Sequence, residues 1–133
     1  MLYICLVHFD AKEVFSGLSA AEKRELDIAS TGYDRELERS GNLIRAQALQ
    51  GPESAVLVRV RDGRISATDG PFLETKEQLG GFALLEVRDL DEAMEWAART
   101  PWNGDGHVTE IRPVVDYDSY AARAGAAGGA TAS

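Results

Sequence analysis

Apolar and polar positions in the first third of the chain predict one strand followed by one long helix. The run from Leu2 to Phe9 is almost continuously apolar, which is typical of a strand covered on both faces. Ser19 and Glu22 match the capping-box pattern, so a helix is expected to begin there. Apolar side chains at helical spacing predict its buried face: Leu26, Ala29, Tyr33 and Leu37. Gly41 is predicted to end the helix.

The rest of the chain predicts a hairpin, a strand, a second helix and a last strand. Residues 55–61 and 64–68 are rich in β-branched side chains and flank Asp62-Gly63, a pair that favours a type I′ turn. A strand over residues 81–87 follows a polar loop, and Asp89 is expected to cap a helix that Pro101 stops. Leu90, Ala93, Met94 and Ala97 are predicted to form the buried face of that helix, and residues 106–115 the last strand.

The predicted element order is β-α-β-β-β-α-β, which indicates the α+β class. Two helices that each connect two strands fit a split βαβ sandwich, with one antiparallel sheet and both helices on one face. Alternation in the last strand places Thr109 and Ile111 on one side, and Glu110 and Arg112 on the other. The second face of the sheet is therefore mixed in polarity, and we expect a homodimer that packs sheet to sheet and encloses polar groups.

Composition and charge narrow the classes of function. The 133 residues carry a formal net charge of −8 without a basic cluster, which argues against nucleic-acid and membrane-surface binding. No apolar run is long enough to span a bilayer and the start lacks a signal-peptide pattern, so we expect a cytoplasmic protein. One cysteine, Cys5, allows no intrachain disulfide, and we find no metal-ligand spacing and no cofactor motif. We predict one domain over residues 1–115 and a partly disordered Ala/Gly-rich tail over residues 116–133.

A motif in the middle of the chain resembles a known family. The stretch 69–82, DGPFLETKEQLGGF, is similar to the signature of the DGPF branch of the YCII-related family, and the similarity covers roughly residues 1–115. This resemblance implies a ferredoxin-like fold that pairs into a dimeric α/β barrel, and a largely uncharacterised role. Related proteins are described as enzymes with a His–Asp pair, and DGPF proteins tend to be encoded near sigma factors. The wider pattern carries a histidine in the first helix region, whereas residues 20–40 contain none here.

Asp69 and His8 are the candidate catalytic residues. Asp69 precedes Gly70-Pro71, so its carboxylate either caps a rigid turn or lies at the mouth of a cavity between sheets as a general base. His8 ends the first strand, where it is either a structural residue or an acid–base group oriented by Asp69. The other histidine, His107, follows a Gly-Asp-Gly loop and is expected to be exposed.

Four charged residues are candidates for substrate binding: Lys76, Glu74, Glu77 and Arg112. Lys76 would neutralise an anionic ligand or complete an ion pair that fixes the loop, or it belongs with the two glutamates to a solvated charge cluster. If one helical turn forms, Glu74 and Glu77 lie on the same side and Lys76 lies off that face. Arg112 lies on the last predicted strand, where it would bind the carboxylate of a ligand or pair with Glu110 of a second copy.

The residues together with the family resemblance leave two main classes of function open. The first is a cofactor-independent protein that binds a small molecule and, as an enzyme, performs proton transfer or elimination on an anionic or aromatic substrate. The second is a non-catalytic regulatory or protein-interaction module linked to sigma-factor signalling, and a third possibility is a fold that binds nothing. A concave pocket at Asp69 favours the first class, and an exposed apolar patch outside the dimer interface favours the second.

Overall fold

A computed structural model of the chain describes residues 1–101, 106–118 and 125. Its helices are α1 (Ala11–Phe15), α2 (Ala20–Arg39) and α3 (Leu90–Ala98), and a single 3₁₀ turn spans Pro52–Ser54. Its strands are β1 (Leu2–Phe9), β2 (Leu43–Ala48), β3 (Val56–Arg61), β4 (Arg64–Asp69), β5 (Gln78–Glu86) and β6 (His107–Pro113). Most of the predicted tail lies outside the described residues.

The main sheet has four antiparallel strands in the order β2-β5-β1-β6. Helix α2 connects β1 to β2 and helix α3 connects β5 to β6, which is the split βαβ arrangement of a ferredoxin-like fold. The α+β class and the antiparallel sheet are therefore confirmed.

The predicted composition of that sheet is wrong in two respects. Strands β3 and β4 pair with each other in a separate two-stranded sheet, an insertion between β2 and β5. The sequence prediction missed β2, whose residues Leu43–Ala48 are exposed apart from Leu43. An edge strand of this kind lacks the alternation of buried side chains that periodicity detects.

Local signals set the ends of the elements as predicted. The Ser19 hydroxyl accepts a hydrogen bond from the Glu22 amide, and the Glu22 carboxylate accepts one from the Ser19 amide, so both halves of the capping box are present. The Asp89 carboxylate caps α3 in the same way, at 3.0 Å from the Glu92 amide nitrogen. Asp62 and Gly63 have φ values of 49° and 74°, as a type I′ turn requires.

The core lies between one face of the main sheet and helices α2 and α3. Its buried apolar side chains are Tyr3, Cys5, Leu37, Leu85, Val87, Ala93 and Trp96. The predicted buried face of α3 is correct for Ala93 but wrong for Leu90 and Met94, which are 45% and 52% exposed. Trp96 is buried instead, because its ring packs edge-to-face on Tyr33 of α2 at 6.2 Å and turns the helix toward it.

Among the residues that the structure describes, no helix covers the second face of the main sheet, here called the open face. Side chains alternate across the strands, so the apolar residues in the middle of this face come from the two central strands: Ile4, Leu6, Phe82 and Leu84. Glu110 and Arg112 of β6 border them on the same face, as predicted. The open face thus has an apolar centre and a charged border.

Candidate functional site: a cavity between the sheet and the helices

A cavity of about 480 Å³, here called the sheet–helix cavity, lies between the helix-facing side of the main sheet and helix α2. Its walls are mostly apolar and include Cys5, Val7, Leu37 and Ala83. The volume is within the range of small-molecule sites, which are typically apolar and carry a few polar groups that fix orientation.

Four polar side chains in the wall of this cavity form what we call the polar cluster: Ser30, Thr100, His107 and Thr109. The hydroxyl oxygens of Ser30, Thr100 and Thr109 are buried, and so is His107 Nε2. None of these four atoms has a hydrogen-bond partner within the described part of the chain. A buried polar atom without a partner costs about 1–3 kcal/mol, so such atoms are rare in folded proteins. Four such atoms belong to residues around this one cavity.

The electrostatics of the cavity disfavour charge on its own side chains. Burial lowers the pKa of His107, so its imidazole is neutral at pH 7. Burial raises the pKa of the Cys5 thiol to about 11, and burial above all raises the pKa of Tyr33 to about 12. The Tyr33 hydroxyl donates to the Trp96 carbonyl oxygen at 2.8 Å. Desolvation, followed by repulsion from Glu38, raises the pKa of Asp34. The cavity therefore suits an uncharged polar group.

A second cavity of about 580 Å³, here called the edge cavity, adjoins the first. The two share four wall residues: Phe9, Phe15, Leu49 and Gly80. The rings of Phe9 and Phe15 meet edge-to-face at 5.8 Å. Gly80 makes room for this pair, since a Cβ atom there would lie 2.0 Å from Phe9 Cε1.

The catalytic residues predicted from the sequence lie elsewhere and do not line either of these two cavities. Asp69 is the exposed last residue of β4 and precedes a cis Gly70–Pro71 peptide bond. His8 lies on the open face, where its Nε2 atom is 3.2 Å from Glu110 Oε1. A role for Asp69 and His8 in catalysis stays a prediction.

Of the predicted substrate-binding residues, Lys76 lines the edge cavity. Glu74 is exposed and Glu77 half-buried in the segment before β5, where the helical turn that would place them on one side does not form. Arg112 is exposed on the open face.

The polar cluster escaped the sequence prediction. His107 was expected to be exposed in a loop, but it is the first residue of β6 and its side chain is half-buried on the helix-facing side. The alternation along β6 carried the signal, because His107 precedes Thr109 and Ile111 by two and four residues. Ser30 and Thr100 belong to no motif and reach the cavity only through the packing of α2 and the end of α3.

The described residues hold neither a metal-binding group of side chains nor a membrane-spanning helix. No group of three or more His, Cys, Asp or Glu side chains there is arranged to hold a metal ion. Likewise, no helix within the described ranges has the length and apolar character needed to cross a membrane.

Comparison with known proteins assigns the family. A family model described as the YCII-related domain matches residues 1–118. An uncharacterised protein of Rhizobium meliloti (strain 1021) is 33% identical over 118 residues, which cover 88% of this chain and 94% of that protein. The chain therefore belongs to the family of proteins with a YCII-related domain.

Proposed function

We propose that the protein binds a small, largely apolar molecule in the sheet–helix cavity, where the polar cluster hydrogen-bonds an uncharged polar group of that molecule. One observation carries the proposal: four buried polar atoms without partners in the described chain belong to residues around a single cavity. A hydroxyl or carbonyl group that accepts from Ser30 or Thr109 would relieve the desolvation penalty of these atoms.

His107 gives the site a group for proton transfer. Its imidazole is neutral near pH 7 because burial lowers its pKa, so one ring nitrogen is a free base in the form that general-base catalysis needs. A reaction at this site would thus be a cofactor-independent proton transfer to or from the bound molecule, with Nε2 as the atom that holds the proton. The Cys5 thiol, with a pKa of about 11, is a poor nucleophile at neutral pH.

Ligand-induced thermal stabilisation tests the proposal. A library of small aromatic alcohols, ketones and amides is screened against the wild type and against Ala46→Phe, which adds a ring to the cavity wall at an exposed strand position. Ala21→Phe, on the exposed first turn of α2 and away from the cavity lining, is the matched control. We expect hits that stabilise the wild type and the control but not Ala46→Phe. Hits that stabilise all three proteins equally would contradict the proposal.

We also propose that the protein is a homodimer, with the open face and the apolar face of the β3–β4 hairpin in the interface. The centre of the open face is apolar, and the β3–β4 hairpin carries a second apolar surface: Val56, Val58, Val60 and Ile65 are each between 62% and 77% exposed. Val60 lies opposite Ile65, so these side chains share one face of a ribbon that is marginal by itself. Large exposed apolar surfaces of this kind mark interaction sites. In the dimer, His8 and Arg112 would lie at the interface.

Light scattering coupled to size exclusion tests the assembly. Val58→Glu places a charge on the apolar face of the hairpin, and Ser66→Glu places the same charge on its other face, opposite Arg59. We expect the wild type and Ser66→Glu to elute as dimers and Val58→Glu to shift to monomer. A monomeric wild type at tens of micromolar concentration would refute the dimer.

A further inference from the structure

We infer that the ligand is an elongated amphipathic anion that occupies both cavities, with its anionic group at Lys12 and Lys76 and its uncharged end at the polar cluster. This inference rests on the proposed function, since it extends the molecule bound in the sheet–helix cavity. It names the chemical class: an aromatic or aliphatic body with a carboxylate, sulfonate or phosphate at one end only.

The shared walls show how one molecule would reach both cavities. Phe9, Phe15, Leu49 and Gly80 belong to the lining of each cavity, so the two cavities are neighbours with these residues between them. A ligand that occupies both would pass along this apolar boundary. The boundary consists of two aromatic rings, a leucine and a glycine without a side chain, which suits the apolar middle of a ligand.

The charges differ at the two ends. The edge cavity has two cationic side chains in its lining, Lys12 and Lys76, and neither forms an ion pair among the residues that the structure describes. Its one acidic lining residue, Asp10, uses its carboxylate to cap α1, accepting from the amides of Lys12 and Glu13 at 3.0 and 3.4 Å. In a chain of net charge −8, two unpaired lysines at one cavity make a local attraction for an anion.

The opposite end excludes charge. The pKa of His107 is lowered by burial, and the hydroxyls of Ser30, Thr100 and Thr109 are neutral hydrogen-bonding groups. A charged group there would lose its hydration without an ion-pair partner, which is costly. The ligand orientation follows: the anion faces the edge cavity and the uncharged polar end faces the polar cluster.

A pair of fluorescent probes with the same aromatic skeleton tests the inference. 1-Anilinonaphthalene-8-sulfonate carries one sulfonate, and N-phenyl-1-naphthylamine lacks it. Both are titrated against the wild type, Lys12→Gln/Lys76→Gln, and the control Lys23→Gln, an exposed lysine of α2 outside both cavities. We expect the double variant to bind the sulfonate probe roughly three- to tenfold more weakly, as two partly screened ion pairs are lost, and to bind the neutral probe unchanged. The control should leave both affinities unchanged.

The outcomes separate this inference from the proposed function. Unchanged sulfonate-probe affinity in the double variant, or an equal loss for both probes, overturns the anion assignment. If the anion assignment fails in this way but Ala46→Phe abolishes binding of the neutral probe, the proposed function still stands. Neutral-probe binding that survives Ala46→Phe, or no binding of either probe to the wild type, overturns both.

Discussion

Replacing Thr109 by valine tests whether the polar cluster is kept for a ligand at the expense of stability. The side chain keeps its shape, and the hydroxyl that has no partner within the described chain becomes a methyl group. Threonine and valine both favour strands, so propensity contributes little. Removal of one unsatisfied buried hydroxyl is expected to raise the free energy of unfolding by about 1 kcal/mol, at the low end of the desolvation penalty.

At this chain length such a gain corresponds to a rise in Tm of roughly 3–4 °C. The matched control is Thr31→Val on α2, because the Thr31 hydroxyl already donates to the Asp27 carbonyl oxygen at 2.9 Å. That variant should change stability by less than about 0.5 kcal/mol, as surface substitutions usually do. Both are measured by urea unfolding at pH 7 without ligand. A Thr109→Val protein less stable than the wild type would refute the reasoning, because it would show that the hydroxyl is satisfied in solution.

Three further predictions concern packing, capping and pH. Gly80→Ala should lower the free energy of unfolding by about 1–3 kcal/mol, because the added methyl group displaces the Phe9 ring. Gly32→Ala should raise it by about 1 kcal/mol, because there is open space around the Cβ position inside α2. Equal effects of the two substitutions in thermal unfolding would contradict this reasoning. Ser19→Ala should cost about 1 kcal/mol and Ser19→Asp should restore most of it, which circular dichroism melting checks. Because the pKa of His107 is lowered in the folded state, the unfolded chain binds the His107 proton more tightly. The free energy of unfolding should therefore keep its full value above pH 6.5 and decrease below it. His107→Gln should make the free energy of unfolding depend less on pH below 6.5.

The signals that the sequence carries locally predicted the structure well. The capping box at Ser19, the N-cap at Asp89 and the turn at Asp62-Gly63 depend on residues within three positions of each other, so they can be recognised without the fold. The four-stranded sheet order was only partly predictable. The hairpin has the strongest β pattern in the chain, yet it lies outside the main sheet, while the exposed edge strand β2 lies within it.

The candidate site was harder to predict because its residues are distant in the sequence. Ser30 and Thr109 are 79 positions apart and carry common side chains without a motif, and only the packing of α2 on the sheet brings them to one cavity. The motif over residues 69–82 identified the family, and its second half contributes to the lining of both cavities, with Lys76 in the edge cavity and Gly80 in each. Asp69, at its start, lies on the hairpin and lines neither cavity. The sequence signature thus gave the family and part of the cavity walls, but not the polar cluster.

The two histidines provide the most direct test of where a ligand binds. His107 belongs to the polar cluster of the sheet–helix cavity and His8 lies on the open face beside Glu110, so each reports on one candidate site. Protein labelled with ¹⁵N-histidine is titrated with N-phenyl-1-naphthylamine and the imidazole ¹⁵N resonances are followed at pH 7. We predict that the His107 resonances shift with saturation while those of His8 stay in place. A ligand that shifts His8 and leaves His107 unchanged would contradict the assignment of the site to the sheet–helix cavity.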